Sequence, residues 1–195
     1  AGVGDVASVK REGTRLLSPR QSYQVSWIAP SATSEELRQA GATYPDWVAQ
    51  RYLQLPPTLP ERVRLLAKRI TESYTTPYDK VVSIQGYLLR YPYRRDIPPL
   101  PTGHDGVDHF LFDRPEGYCE QFASAMVVLL RSAGVPAKYM LGYTGGSFSD
   151  SLKAYVIREQ NYHTWVQAYF PGYGWIDFDP TPSPESITDD AGMDV

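Results

Sequence analysis

Apolar residues recur at helical spacing in three stretches of the chain, then switch to alternation beyond Pro136. Val63, Leu66, Ala67 and Ile70 form the first stripe, behind a capping-box pattern of Thr58 and Glu61. Val81, Ile84 and Leu88 form the second; Thr76 and Asp79 repeat that pattern, with Pro77 at the first helical position. The third opens at Cys119 and carries Phe122, Ala123, Met126, Leu130 and Ala133, and Gly134 and Pro136 stop it. Strands are predicted over 137–143, 154–158, 162–170 and 175–179, with a hairpin turn at Gly145-Gly146 and another turn at Pro171-Gly172. Helices first and an antiparallel sheet afterwards predict an α+β fold.

Residues 1–55 read as an N-terminal extension of short pieces. Gln21 to Ile28 alternates like a half-buried strand, and Ser34 to Ala40 predicts a short helix ending at Gly41. Pro56-Pro57 then punctuates the chain, residues 56–182 form the core, and 183–195 a polar tail. The Pro-rich stretch 91–109 is too long for a plain connection, and long loops often carry function.

Composition removes several function classes. At 42% hydrophobic and 21% charged residues, a packed domain is expected rather than a disordered chain. A net charge of −3 with no basic stripe argues against a nucleic-acid partner. The longest apolar run, Ala125 to Leu130, is far too short for a membrane span. The chain begins Ala1-Gly2 without a signal peptide and reads as the excised soluble portion of a longer protein.

One cysteine forbids an internal disulfide and directs attention to what its thiol does. Cys119 stands where the third helix begins, and a helix N-terminus favours a thiolate through its free N–H groups and macrodipole. His163 lies on a strand whose parity puts Trp165 and Gln167 on its own face. Asp179, Asp177 and Trp175 share a face of the last strand. A three-residue turn centred on Pro171 sets His163 opposite Asp179, and a two-residue turn at Gly172-Tyr173 misregisters them by three positions. Taken singly, a helical cysteine is a small hydrophobe, a strand histidine is structural, and Asp179 before Pro180 opens a turn. Together they are the parts of a nucleophilic triad. His104, Asp105, Asp108 and His109 lack the spacing of a structural zinc site, and a solvated loop with a capping aspartate is the expected account; no metal or cofactor is expected.

Gly117-Tyr118-Cys119-Glu120-Gln121-Phe122-Ala123, then Leu130-Arg131-Ser132-Ala133-Gly134-Val135-Pro136, resembles the cysteine block of the bacterial transglutaminase-like domain. His163-Thr164-Trp165-Val166 resembles its histidine block, and Gly174-Trp175 through Asp179-Pro180-Thr181-Pro182 its aspartate block. Tyr52-Leu53-Gln54-Leu55-Pro56 and Thr76-Pro77-Tyr78-Asp79-Lys80 are similar to a branch in which this domain is the extracytoplasmic part of a multi-helix membrane protein. The resemblance implies a papain-like fold, with Cys119 as nucleophile, His163 as general base and acid, and Asp179 as its orienter. It implies attack on a glutamine carboxamide, loss of ammonia, and transfer of the acyl group to an amine. The partners are then a glutamine donor and an amine acceptor, with membrane attachment only through segments outside this chain. The same triad also serves a cysteine peptidase or amidase, and a non-catalytic peptide- or glycan-binding envelope domain is the reading from another class. The Cys119 backbone N–H and Tyr93 are the candidate oxyanion donors, and Trp165 and Gln167 the candidate substrate contacts. Thr164 and Gln167 stand where the family commonly has alanine and glutamate; neither change removes a triad member, and the carboxylate missing at Gln167 touches acceptor preference and the electrostatics around the site.

Overall fold

A computed structural model describes residues 31–182; the strand expected over 21–28 and the tail 183–195 lie outside the described residues. Helix α6 (Cys119–Ser132) is the centre of the molecule. Phe122, Ala123, Ala125, Met126, Leu129 and Leu130 on it are all fully buried. A narrow stripe of partly buried residues, Gln121, Ser124, Val128 and Arg131, remains along its length. The buried positions are covered by α3 (Glu61–Thr71) and α4 (Pro77–Leu88) on one side and by the sheet on the other. Each large buried side chain contributes about 1.5–3 kcal/mol, so this helix anchors the domain.

The helix starts follow local chemistry, with one correction. Thr76 caps α4 as expected: its Oγ1 accepts from the Asp79 N–H at 3.1 Å, and Pro77 fills the first helical position. The capping box read at Thr58 does not form. Helix α3 begins at Glu61, after Pro60. Proline keeps the residue before it out of the helical region, so Leu59 cannot be helical and Thr58 is spent in a turn closed by Leu59 N–H to Pro56 O at 3.1 Å.

Helix α1 (Ser34–Gln39) has a full capping box between Thr33 and Glu36 and ends before Gly41, whose φ of +74° suits glycine. Its Leu37 is buried in the common core, and Arg38 pairs with Asp79 of α4 at 2.9 Å. A second short helix, α2 (Asp46–Tyr52), carries no pattern strong enough to predict it. Val48 on it is fully buried. Its aromatic residues meet the outer face of the sheet, Tyr52 against Trp175 at 4.6 Å and Trp47 against Tyr169 at 6.1 Å between ring centroids. Thus residues 34–52, read as an extension, pack onto the core on both sides.

The long loop before Cys119 is partly helical. Asp105 caps α5 (Gly106–Asp108) by accepting from the Val107 and Asp108 N–H groups, the role expected of a capping aspartate. The chain then widens into a π-turn over His109–Asp113, and Phe110 inserts against Phe122 at 5.1 Å.

The main sheet is antiparallel in the order β1 (Ala137–Tyr143), β4 (Tyr162–Phe170), β5 (Gly174–Phe178). A separate ribbon pairs β2 (Ser147–Ser149) with β3 (Ala154–Val156). Gly145-Gly146 is therefore not a hairpin turn. Strand β1 pairs with β4, and the two glycines lead the chain away to the ribbon. At Gly146 (φ +65°) a Cβ would lie 2.3 Å from the Val156 carbonyl oxygen, so the approach needs glycine. The predicted strand over 154–158 ends at Val156, because residues 159–161 form a 3₁₀ turn. Among the described residues no helix is long and apolar enough to cross a membrane.

Candidate active site

The turn between β4 and β5 sets the geometry of the site. Phe170 pairs with Gly174, so the three-residue turn is centred on Gly172, one position later than Pro171. The Tyr173 N–H donates to Phe170 O at 3.0 Å, which puts Pro171 second and Gly172 (φ +84°) third in a β-turn. Proline with its fixed φ favours the second position and a left-handed glycine the third, so a turn centred on the proline loses to this one. The pairing shifts by two residues, and Asp179 follows the last paired residue, Phe178, instead of standing opposite His163. An even shift preserves the faces. His163 and Asp179 still meet, diagonally, with Nε2 2.6 Å from Oδ2.

A carboxylate only accepts, so the Nε2–H of His163 donates to Asp179 and leaves Nδ1 as the nitrogen available to a thiol. The imidazole is mostly covered at 20% exposure and the carboxylate is half open at 49%. Asp179 is itself held at two points. Its Oδ1 accepts from the Thr181 N–H at 2.9 Å, and its carbonyl accepts from Gln85 Nε2 of α4 at 2.9 Å. The same carboxylate thus opens the turn through Oδ1 and meets the imidazole through Oδ2. Sequence reasoning missed Gln85, because a polar residue beside the apolar stripe of α4 carries no signal for what it holds.

Cys119 is buried at 7% exposure and is the first residue of α6, where backbone N–H groups lack intrahelical acceptors. Gln121 holds the helix start by accepting from the Tyr118 N–H at 3.1 Å. Glu120, which follows Cys119, accepts from the Tyr162 hydroxyl at 3.2 Å. Tyr162 immediately precedes His163, so one hydrogen bond ties the first turn of the cysteine helix to the histidine end of β4. Partial desolvation, then the hydrogen bond to Glu120, pushes the Tyr162 hydroxyl up to about 12, which keeps it a donor through the physiological range.

The Tyr93 segment reaches the same turn. Tyr93 bridges to Gly117 in parallel, the Arg94 N–H donates to Gly117 O at 2.6 Å, and the Gly117 N–H donates to Pro92 O at 3.3 Å. The Tyr93 hydroxyl accepts from Arg95 Nε at 3.3 Å. That bond, with a smaller contribution from the charge of a Cys119 thiolate, raises the Arg95 guanidinium above its ordinary value. A cavity of about 580 Å³ opens beside this turn, lined by Arg95, Leu100, His109, Tyr118 and Glu120 among others.

Trp165 and Gln167 share the face of His163, as parity required. Both donate to Asp177 Oδ1, from Trp165 Nε1 at 2.8 Å and Gln167 Nε2 at 2.7 Å. Asp177 therefore organises the wall next to the His163–Asp179 pair. The indole ring needs the space over Gly142, where a Cβ would lie 2.9 Å from Trp165 Cη2. Gly142→Ala is expected to cost about 1–3 kcal/mol by overpacking, read as a lowered Tm, and to displace the ring beside His163.

Of the four residues weighed as a metal cluster, the two aspartates are engaged elsewhere. Asp105 caps α5, and Asp108 takes both oxygens to Arg62. His104, His109 and Asp113 are the three that converge, with ligand atoms within 4.8 Å of one another.

Comparison with known proteins bears on the family and the fold. The model of the transglutaminase-like superfamily matches residues 64–180. The chain is 38% identical over 194 residues to the uncharacterized protein YebA of Bacillus subtilis, covering 89% of this chain and 26% of that protein. It is 33% identical over 197 residues to a protein-glutamine gamma-glutamyltransferase of Pseudomonas aeruginosa, covering 94% of this chain and 28% of that one. The chain thus spans about a quarter of the length of these relatives. The crystal structure of the periplasmic domain of TgpA from P. aeruginosa superimposes with a TM-score of 0.65 at 33% identity, over 71% of this chain and 48% of that one. The architecture is the papain-like α+β fold of that domain, a central helix carrying the cysteine against an antiparallel sheet carrying the histidine. On these grounds the chain belongs to the transglutaminase-like superfamily.

Proposed function

We propose that this domain is a thiol acyltransferase, in which Cys119 attacks a glutamine carboxamide and the resulting thioester is resolved by an amine. The observation that carries the reading is the 2.6 Å contact of His163 Nε2 with Asp179 Oδ2, at the end of β4 tied through Tyr162 to the first turn of the cysteine helix. In the first half-reaction the Cys119 sulfur forms a bond to the carboxamide carbon. The tetrahedral oxyanion is met by the Cys119 N–H, with Tyr93 as the second donor on the neighbouring segment. Protonated His163 gives its Nδ1 proton to the departing nitrogen, ammonia leaves, and a thioester remains. In the second half-reaction His163 takes a proton from the attacking amine, the amine nitrogen bonds to the acyl carbon, and the thiol is released. Asp179 holds the imidazole and stabilises its cationic form.

Trp165 and Gln167, fixed by Asp177, form the wall a substrate meets next to His163. The donor is a glutamine-bearing protein or peptide and the acceptor a primary amine. The name of the P. aeruginosa relative supports the glutamine donor, and the periplasmic origin of TgpA supports an extracytoplasmic site of action within a longer membrane protein.

The test is incubation with a glutamine peptide and a biotinylated alkylamine, followed by mass spectrometry. The expected product carries the amine with loss of ammonia. Conversion of glutamine to glutamate alone would make the enzyme an amidase, and a cut backbone would make it a peptidase. No covalent change in any donor peptide, with the protein folded, overturns the proposal.

A further inference from the structure

We infer that His104, His109 and Asp113 form a binding site for one borderline divalent transition-metal ion of the Zn²⁺ class, in the wall of the cleft beside Cys119. Their ligand atoms lie within 4.8 Å of one another. Around a tetrahedral ion with bonds of ~2.0–2.1 Å, ligand atoms stand ~3.4 Å apart, so small side-chain rotations complete the site. Two imidazoles and one carboxylate suit Zn²⁺, Ni²⁺ or Cu²⁺, whereas Mg²⁺ and Ca²⁺ require oxygen donors.

Three features of the backbone and its neighbours prepare this convergence. Gly103, at φ +83°, and the His104 N–H bond to Pro101 O at 3.2 Å turn the chain back so that His104 meets the segment that follows. The rings of His104 and His109 stand edge to face, 5.8 Å apart. The π-turn, closed by the Arg114 N–H to His109 O at 2.8 Å, carries His109 and Asp113 on one side, with His109 Nδ1 3.4 Å from Asp113 Oδ2. Single π-turns inside helices occur often at functional sites.

Arg62 completes the arrangement from α3. Its guanidinium pairs with Asp108, and its Nη2 lies nearer Asp113 Oδ1 (3.0 Å) than Oδ2 (3.3 Å). The carboxylate is thereby oriented with Oδ2 toward His109, and because Arg62 is shared between Asp108 and Asp113, the three groups keep one net negative charge for a cation. This is how an outer partner aims a metal-binding carboxylate.

The position gives the ion a consequence. His109 lines the 580 Å³ cavity beside Cys119, and His104 and Asp113 line a second cavity of about 610 Å³ together with Thr58 and Arg62. An ion bound there joins the 101–105 turn to the π-turn and fixes the wall between the two cavities. The inference stands independently of the acyl-transfer reading.

The experiment uses Cys119→Ala protein, so that the thiol cannot bind the metal, stripped with chelator and titrated with Zn²⁺ by calorimetry and with Co²⁺ by visible absorption. One equivalent per chain is expected, with a Co²⁺ spectrum of low-symmetry, nitrogen- and oxygen-bound character. His104→Ala and Asp113→Asn, each in that background, should weaken binding at least about tenfold. His104 is exposed, so its replacement leaves the core untouched, and an unchanged melting curve without metal separates lost binding from lost fold. Absence of saturable binding, or binding indifferent to both substitutions, overturns the inference.

Discussion

Cys119→Ala is expected to abolish acyl transfer, by on the order of 10⁶ in rate, in a protein that still folds. The argument for total loss is compositional as well as geometric. The chain has one cysteine, so no second thiol can form the thioester. The argument for an intact fold is local. Cys119 is the first residue of α6, before the buried positions Phe122, Ala123, Met126, Leu129 and Leu130, and alanine is a good helix former. Removing one buried sulfur should cost about 1 kcal/mol, small beside the burial along the rest of that helix. Ammonia release and amine incorporation measure the first expectation, and circular dichroism with a thermal melt the second. Wild-type activity in the folded variant would remove Cys119 from the chemistry.

The helices and the long strands were legible because their apolar periods are strong. The stripe from Phe122 to Ala133 and the alternation along β4 each had one solution, and Thr76-Pro77 marked a helix start with two independent devices. Thr58 misled because a capping pattern ignores what Pro60 does to the residue before it. Helix α2 was invisible because its single buried apolar residue, Val48, gives no period, and its docking depends on Trp175 and Tyr169 from the far end of the chain. The histidine–aspartate pair was legible for a different reason. A sheet has only two faces, so parity survived an error in register that moved Asp179 by two positions. What parity could not supply was the division of labour between the two carboxylates. Asp179 reaches His163 only because β5 ends at Phe178 and the chain turns at Thr181, while Asp177 remains in the strand beneath Trp165 and Gln167.

That division of labour predicts a graded series. His163→Ala should be nearly as damaging as loss of the thiol, because in the proposed reaction one imidazole both activates the sulfur and protonates the departing nitrogen. Asp179→Ala should fall short of it. The carboxylate touches neither sulfur nor substrate in the proposed reaction, and it acts by holding Nε2–H and stabilising the imidazolium. Where such a carboxylate is buried, its loss costs about 10⁴ in rate. Asp179 is half exposed at 49%, and water screens its charge and can take its place on the imidazole, so a loss of about 10²–10³ is expected. Asp177→Ala should behave differently again. It releases the indole and amide that share Oδ1, so a lowered Tm and a raised KM are expected with kcat kept within about tenfold. Steady-state amine incorporation by the three variants, with melting curves for each, separates these roles. A silent Asp179→Ala beside a kcat collapse in Asp177→Ala would transfer the orienting role to Asp177, and the 2.6 Å contact with His163 would then be structural alone.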